Sequence, residues 1–316
     1  CATNTVVEAP VKTTVANPLQ QASVTQWHPE FGAPESTTDA SGNGTFNAVV
    51  SAATIVTATA THPAGHTSEF SLCITPAAAP ATFTVTNTND NGPGSLRQAI
   101  LHANARTNTL DTIAYNIAGA APFTIAPLTD LPAITDSVII DGHTQPGSGG
   151  LPVVELRGIN AGVTAKGLWI FSTSSTVRGL TINSFSTGIH LDSGGNHTIA
   201  GNHIGTDWTG SIARSNIVGI LVQGSTGNVI GGLSATPVTR NVISGNRNTG
   251  IDLAGTDNLV QGNYMGLNAA GTAAIVAPDT NPNGIVVRAA RNTIGGTTAA
   301  ARNVISAFSV GSGIFI

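Results

Sequence analysis

The chain has 316 residues and a net charge of −4, and only 9% of its residues are charged and 4% aromatic. This length allows a sizeable core plus a second module. Because the sequence has neither a basic cluster for a phosphate backbone nor an apolar run long enough for a bilayer, it predicts no nucleic-acid partner and no transmembrane segment.

Residues 1–76 are predicted to form a small β-sandwich (Ig-like) module, or part of one, because short β-branched stretches at 45–50, 54–61 and 69–74 alternate with Gly and Pro turns. We expect a disulfide between Cys1 and Cys73, since small secreted modules with thin cores often need such a link. The alternative is two unrelated thiols. The chain starts without a leader segment, which predicts that it is cut from a longer precursor.

An Ala- and Pro-rich linker at residues 77–82 is predicted to separate this module from a second domain at residues 83–316. Short runs of apolar and β-branched residues predict strands in the first part of the second domain. These strands are expected at 83–86, 111–117, 123–125, 137–141 and 153–156. Their register in the repeat described below is left open by the sequence.

One amphipathic helix is predicted near the start of the second domain, at about residues 95–106. Ser95 is the candidate N-cap, and Leu96, Ile100 and Leu101 would share one apolar face. A single helix at the start of an all-β repeat domain is typical of a cap, because the open end of a solenoid exposes core and strand edges. We therefore predict an N-terminal helical cap.

A Gly-Ile segment recurs through the remainder of the chain, beginning with the variant Gly-Leu at Gly167. The spacing of 21 residues between Gly167 and Gly188 is enough for three short strands and three turns, which is one complete coil of a solenoid. Within Gly-Ile-x-Leu, the second and fourth residues should point inward and the third outward. The later segments start at Gly219, Gly250, Gly284 and Gly313. The chain stops within the last of them, so we expect further coils.

Asparagine and glycine recur at fixed offsets from isoleucine, as in Asn228-Val-Ile-Gly-Gly and Asn258-Leu-Val-Gln-Gly-Asn, and His197-Thr-Ile-Ala-Gly-Asn is a variant. Both residue types suit corners, and stacked Asn amides can form hydrogen-bond ladders along a solenoid axis. Coils resemble each other best two apart, which predicts a repeat of two coils, about 62 residues, with insertions at two corners.

Four motifs in this region resemble those of large bacterial surface and secreted proteins with right-handed parallel β-helix repeats. The motifs lie at residues 86–100, 140–147, 204–210 and 292–306. Residues 57–70 are similar to the end of a β-sandwich module that often precedes such helices. The resemblance implies a secreted or cell-surface, bacterial protein with a pectate-lyase-like fold of three short strands per coil. Fold alone does not carry activity.

Enzymes that cleave polysaccharides on this fold need clustered outward carboxylates with a basic residue nearby, either as acid and base or as ligands of Ca²⁺. The outward positions supply only weak catalytic candidates, Asp192, Asp252, His190 and Arg288. Since Asp192 and Asp252 are two coils apart and in different columns, about 10 Å or more should separate them. We therefore predict no catalytic site, no metal and no cofactor.

Trp208 lies in the first long insertion and is a candidate glycan contact, because an exposed aromatic ring can stack on a sugar. The alternative is a lid over the coil below. The sequence favours a non-catalytic extracellular repeat protein with an adhesion, spacer or glycan-contact role toward carbohydrate or a host or cell-surface component. The alternative is a polysaccharide lyase or glycoside hydrolase acting on an acidic polysaccharide, with Ca²⁺ as its only expected cofactor.

Overall fold

A computed structural model describes residues 79–233, 239–275, 277, 283–306, 308 and 311–316, together with the backbone of four earlier strands. The chain divides into two compact units, Cys1–Ala79 and Pro80–Ile316. In the first unit, Lys12–Val15 pairs antiparallel with Ala22–Thr25, and Glu35–Thr38 pairs antiparallel with Gly44–Asn47.

The strand predicted at 45–50 overlaps Gly44–Asn47. The strands predicted at 54–61 and 69–74, and both Cys1 and Cys73, lie outside the described residues. The β-sandwich and the disulfide stay predictions.

Three parallel sheets make up the second unit, which is consistent with a parallel β-helix. Sheet A has eight strands: Thr82–Val85, Asp111–Tyr115, Val138–Asp141, Thr176–Arg178, Thr198–Ala200, Val229–Gly231, Leu259–Gln261 and Thr293–Ile294. Sheet B has seven: Phe123–Ile125, Val154–Arg157, Leu180–Asn183, His203–Ile204, Val242–Ile243, Tyr264–Met265 and Val304–Ile305. Sheet C has six: Lys166–Ile170, Thr187–Leu191, Val218–Val222, Thr249–Leu253, Asn283–Val287 and Ile314–Phe315.

The Gly-Ile segments form sheet C, so the predicted alignment of the repeats is confirmed. Leu168 pairs with Ile189, and Ile189 with Ile220, and the same column continues through the later coils. These side chains are buried in a core shared by all three sheets, except Ile314 in the last strand, which is 43% exposed. Glycine precedes them because the coils approach closely there. A Cβ at Gly188 would lie 2.7 Å from the carbonyl oxygen of Gly219, so that any larger residue would push the coils apart.

Stacked side chains join the coils at the corners, and the predicted asparagine ladders are confirmed. At the corner between sheets C and A, Asn228 Nδ2 donates to Asn258 Oδ1 (2.7 Å) and Asn258 Nδ2 donates to Asn292 Oδ1 (2.9 Å). At the corner between sheets A and B, Asn241 Nδ2 donates to Asn263 Oδ1 (3.0 Å). Each ladder satisfies buried polar groups from one coil to the next.

The predicted helix is α1, Leu96–Asn104, and Ser95 caps it by accepting a hydrogen bond from the Gln98 backbone N–H at 3.2 Å. It packs on Thr82–Val85 and Asp111–Tyr115, at one end of sheet A. One expectation was wrong: Leu101 is 46% exposed, and the buried face consists of Leu96, Ala99, Ile100 and Ala103. Small alanines complete that face because they let the helix approach the strands. No helix in the described residues could cross a membrane.

The strand expected at 111–117 ends earlier, at Tyr115. The Gln145 side chain makes both hydrogen bonds to the backbone of Ile117: it accepts from the N–H at 2.8 Å and donates to the carbonyl at 2.9 Å. A side chain therefore replaces the neighbouring strand at this point. Two 3-10 turns, Gly142–Thr144 and Ala299–Ala301, complete the elements of this unit.

Candidate functional site

The outer face of sheet C carries the outward column that the repeats predict. Trp169 pairs with His190, His190 with Leu221, and Leu221 with Asp252 in neighbouring parallel strands. The column is polar and aromatic at its first coils, while the next position, Val286, is buried. The aromatic and titratable side chains of sheet C are therefore concentrated on its first two coils.

Five side chains meet there and are called the Trp169 cluster: Lys166, Trp169, Phe171, His190 and Asp192. The indole of Trp169 donates from Nε1 to Asp192 Oδ2 at 3.0 Å. The Lys166 ammonium lies 4.1 Å from the centre of the same ring, and Phe171 packs against it with centroids 4.7 Å apart. These contacts fix the indole from three directions.

His190 was expected to point into solvent, yet it is only 6% exposed. The reason is its neighbour, because the Trp169 ring lies parallel to the imidazole with centroids 6.1 Å apart. The side chain that hydrogen-bonds to the imidazole is Gln223, from the following coil. Burial lowers the pKa of His190, and the nearby Asp192 carboxylate raises it less. The ring therefore packs under the tryptophan as a buried imidazole with a lowered pKa.

Asp252 lies on the same face but belongs to a different arrangement. Its carboxylate accepts a charged hydrogen bond from Arg288 Nε at 2.9 Å, one coil further along. Asp192 is instead bound by the Trp169 indole. The strand Val218–Val222 separates the two acids in the sheet. The structure thus brings Asp252 and Arg288 together, and brings Asp192 and His190 together with Trp169.

Trp208, the candidate glycan contact, is half-buried and packs against the hydrophobic core. It lies in a hairpin insertion whose bridge joins Thr206 to Ala213, over the outer face of sheet B. Its backbone carbonyl lies 3.1 Å from His203 Nδ1, which donates to it. Burial lowers the pKa of His203 to about 4, so this histidine is neutral at physiological pH.

A buried polar cluster around Glu155 was not predicted from the sequence. Glu155 is 1% exposed and accepts from Arg214 at 2.9 Å, from Asn183 Nδ2 at 2.8 Å and from the Thr124 hydroxyl at 2.8 Å. The only signal in the sequence is an acid at an outward strand position, and that position is normally solvated. Arg214 follows the hairpin insertion, so this cluster anchors the insertion to the sheet.

Throughout the described ranges, no group of three or more His, Cys, Asp or Glu side chains could hold a metal ion. The chain matches no family model, and no curated protein is similar enough to it in sequence to count as a match.

Proposed function

We propose that this chain is part of a non-catalytic, secreted or cell-surface repeat protein, and that the Trp169 cluster is its contact with carbohydrate. The observation that carries the proposal is the arrangement of Trp169 and Phe171, two aromatic rings in contact beside an ammonium and a carboxylate on the outer face of a sheet. Aromatic faces and edges ringed by a few polar groups are typical of carbohydrate and small-ligand contacts.

The proposal includes a right-handed β-helix, capped at one end by α1. Parallel strands joined by crossover connections are right-handed in nearly all known cases, which supports the hand. The contacts of α1 with the first strands of sheet A support the cap. Such a scaffold needs no conformational change to present a ligand surface, since stacked coils are held by ladders at their corners.

Phe171 is the most accessible member of the cluster, at 37% exposed. A sugar ring that packs on it would come within reach of Lys166 and Asp192, which could bind hydroxyl groups. Trp169 contributes by holding Phe171 and Asp192 in place. The catalytic alternative lacks support in the described residues, because Asp192 and Asp252 each have a separate partner and lie two strands apart.

The test is a glycan array followed by titration calorimetry of any hit. We expect Phe171→Ser to weaken binding at least about fivefold, since an aromatic contact contributes roughly 1 kcal/mol. Ile212→Ser is the control, because Ile212 is also an exposed apolar residue, at 62%, but lies on the hairpin insertion away from the Trp169 cluster. Equal losses in both variants, or no glycan bound by the unaltered chain, would contradict the proposal.

Turnover assays separate the enzyme class from the binding class. Acidic polysaccharides are incubated with the protein and Ca²⁺, and chain shortening is measured. We expect none. Depolymerisation that is abolished by Asp192→Asn or Asp252→Asn would establish a polysaccharide-cleaving enzyme instead.

A further inference from the structure

The corner between sheets C and A contains a continuous ladder in which the backbone N–H of one coil donates to the side chain of the next. Val138 N–H donates to Ser175 Oγ at 3.1 Å, and Ser175 N–H donates to His197 Nδ1 at 3.1 Å. His197 N–H then donates to Asn228 Oδ1 at 3.0 Å, and the same pattern repeats from Asn228 to Asn258. His197 therefore occupies a position that asparagine occupies in the following coils.

Asparagine and histidine differ in how acid changes their ability to accept a hydrogen bond. The amide oxygen of Asn stays an acceptor at every physiological pH, whereas an imidazole accepts at Nδ1 only while it is neutral. A second proton would sit on Nδ1 and face the Ser175 N–H, so that two donors would oppose each other. Protonation of His197 is thus incompatible with the closed ladder.

Backbone groups of Ser172, Ser175 and Ser193 stabilise the charged imidazole of His197 less than its burial destabilises it. The groups that face it are Ser172 and Ser175 from the preceding coil, Ser193 from its own coil and Asn228 from the following one, all uncharged. The side chain is fully buried. Burial accordingly lowers the pKa of His197 from its ordinary value of 6.5.

We propose that His197 makes this corner an acid-sensitive joint: uptake of a proton by the imidazole breaks the hydrogen bond from Ser175 and opens the chain between Thr187–Leu191 and Thr198–Ala200. The preceding residues Gly194 and Gly195 both have positive φ angles, 73° and 155°, which glycine adopts without strain, and Gly195 bridges to Thr173 and Thr226 in the two neighbouring coils. The later coils, with asparagine at this position, lack the titratable group and stay closed.

Hydrogen exchange measured by mass spectrometry between about pH 7.5 and pH 4.5 tests the proposal, after correction for intrinsic exchange rates. If the proton enters only when the corner opens, peptides covering 171–178 and 193–200 lose protection about tenfold per pH unit below 6.5. His197→Asn restores the residue of the later coils and should keep both peptides protected throughout this range.

The matched control is His203→Tyr, because His203 is a second buried histidine of the same coil and Tyr264 occupies its position two coils later. This variant should retain the acid response of the corner. The proposal is overturned if His197→Asn responds to acid as the unaltered chain does, or if His203→Tyr abolishes the response.

Nitrogen NMR of the unaltered chain tests the same proposal without any variant, so the result does not depend on whether a variant folds. We expect the proton of neutral His197 on Nε2, and its titration to coincide with loss of protection at the Ser175 amide. A proton on Nδ1 at neutral pH, or titration with the Ser175 amide still protected, would contradict the proposal.

Discussion

The side chain of Asn258 joins three coils. Its Oδ1 accepts from the Asn228 backbone at 3.0 Å and from Asn228 Nδ2 at 2.7 Å, and its Nδ2 donates to Asn292 at 2.9 Å. Asn258→Leu leaves the buried Asn228 backbone N–H without its acceptor and Asn228 Nδ2 with only Ser225 Oγ, and we expect it to lower the free energy of unfolding by about 2–3 kcal/mol. Denaturant titration measures this loss.

The neighbouring residue provides the control for Asn258. Asp257 is exposed and pairs with the exposed Arg291 and with Thr256. Exposed ion pairs contribute little to the free energy of unfolding, so Asp257→Asn should leave the unfolding midpoint almost unchanged. A comparable loss in both variants would show that the ladder is not the source of the effect.

His203 predicts a pH dependence of global stability. Its pKa falls from 6.5 to about 4 on folding, so the unfolded chain binds a proton in a range where the folded chain does not. Stability contributed by the neutral ring is therefore present above pH 6.5 and is lost as the pH falls toward 4, by about 3 kcal/mol. His203→Tyr should remove this share of the acid dependence in urea unfolding. A slope identical to that of the unaltered chain would refute it.

Individual outward residues were predicted less well than inward ones. The alternation within Gly-Ile-x-Leu identifies which residues enter the core, because a strand has only two faces. It does not show which outward side chains touch across coils. His190 was expected in solvent but lies under Trp169. The pairing of Asp252 with Arg288 depends on a register between residues 36 positions apart.

At the scale of elements, the hairpin insertion that begins at Thr206 is anchored by Arg214 and Glu155. Removal of the guanidinium in Arg214→Met would leave a carboxylate that is 1% exposed without its counter-charge. We expect the free energy of unfolding to fall by about 3 kcal/mol. Thermal or urea unfolding measures the change.

The double variant Arg214→Met, Glu155→Gln separates lost charge pairing from lost packing. It removes the unpaired charge while Gln can still bind Asn183 and Thr124, so it should recover most of the stability. If the double variant is as unstable as Arg214→Met alone, the ion pair is not what anchors the hairpin.

The two insertions also touch each other, because the Ala269 backbone N–H donates to the Gly210 carbonyl at 2.9 Å. Sequence comparison of the coils predicted where both insertions leave the repeat, since their flanking residues match. The conformation of the insertions was not predicted. It depends on the capping of each hairpin turn by Asp207 or Asn268, whose side chains accept from the backbone N–H groups of the turn.

At the largest scale, each repeat of the second unit is one coil of a continuous parallel stack. One outward column of sheet A runs from Thr82 through Thr176 to Thr293, with each member paired to the next coil. The repeats alone could not place the strands before Gly167 in this column, because those coils lack the Gly-Ile segment. Sheet A joins them through the pairing of Thr112 with Ile139 and of Ile139 with Thr176.

Pulsed electron paramagnetic resonance between spin labels on this column tests the stack most directly. Labels are placed at Thr82 and Thr293 or at Thr176 and Thr293, with the native cysteines replaced by serine. Seven and four coil steps separate these pairs, so we predict narrow distributions near 34 Å and 19 Å, that is, about 4.8 Å per step. Broad distributions, or two distances that do not differ by about three steps, would contradict the account.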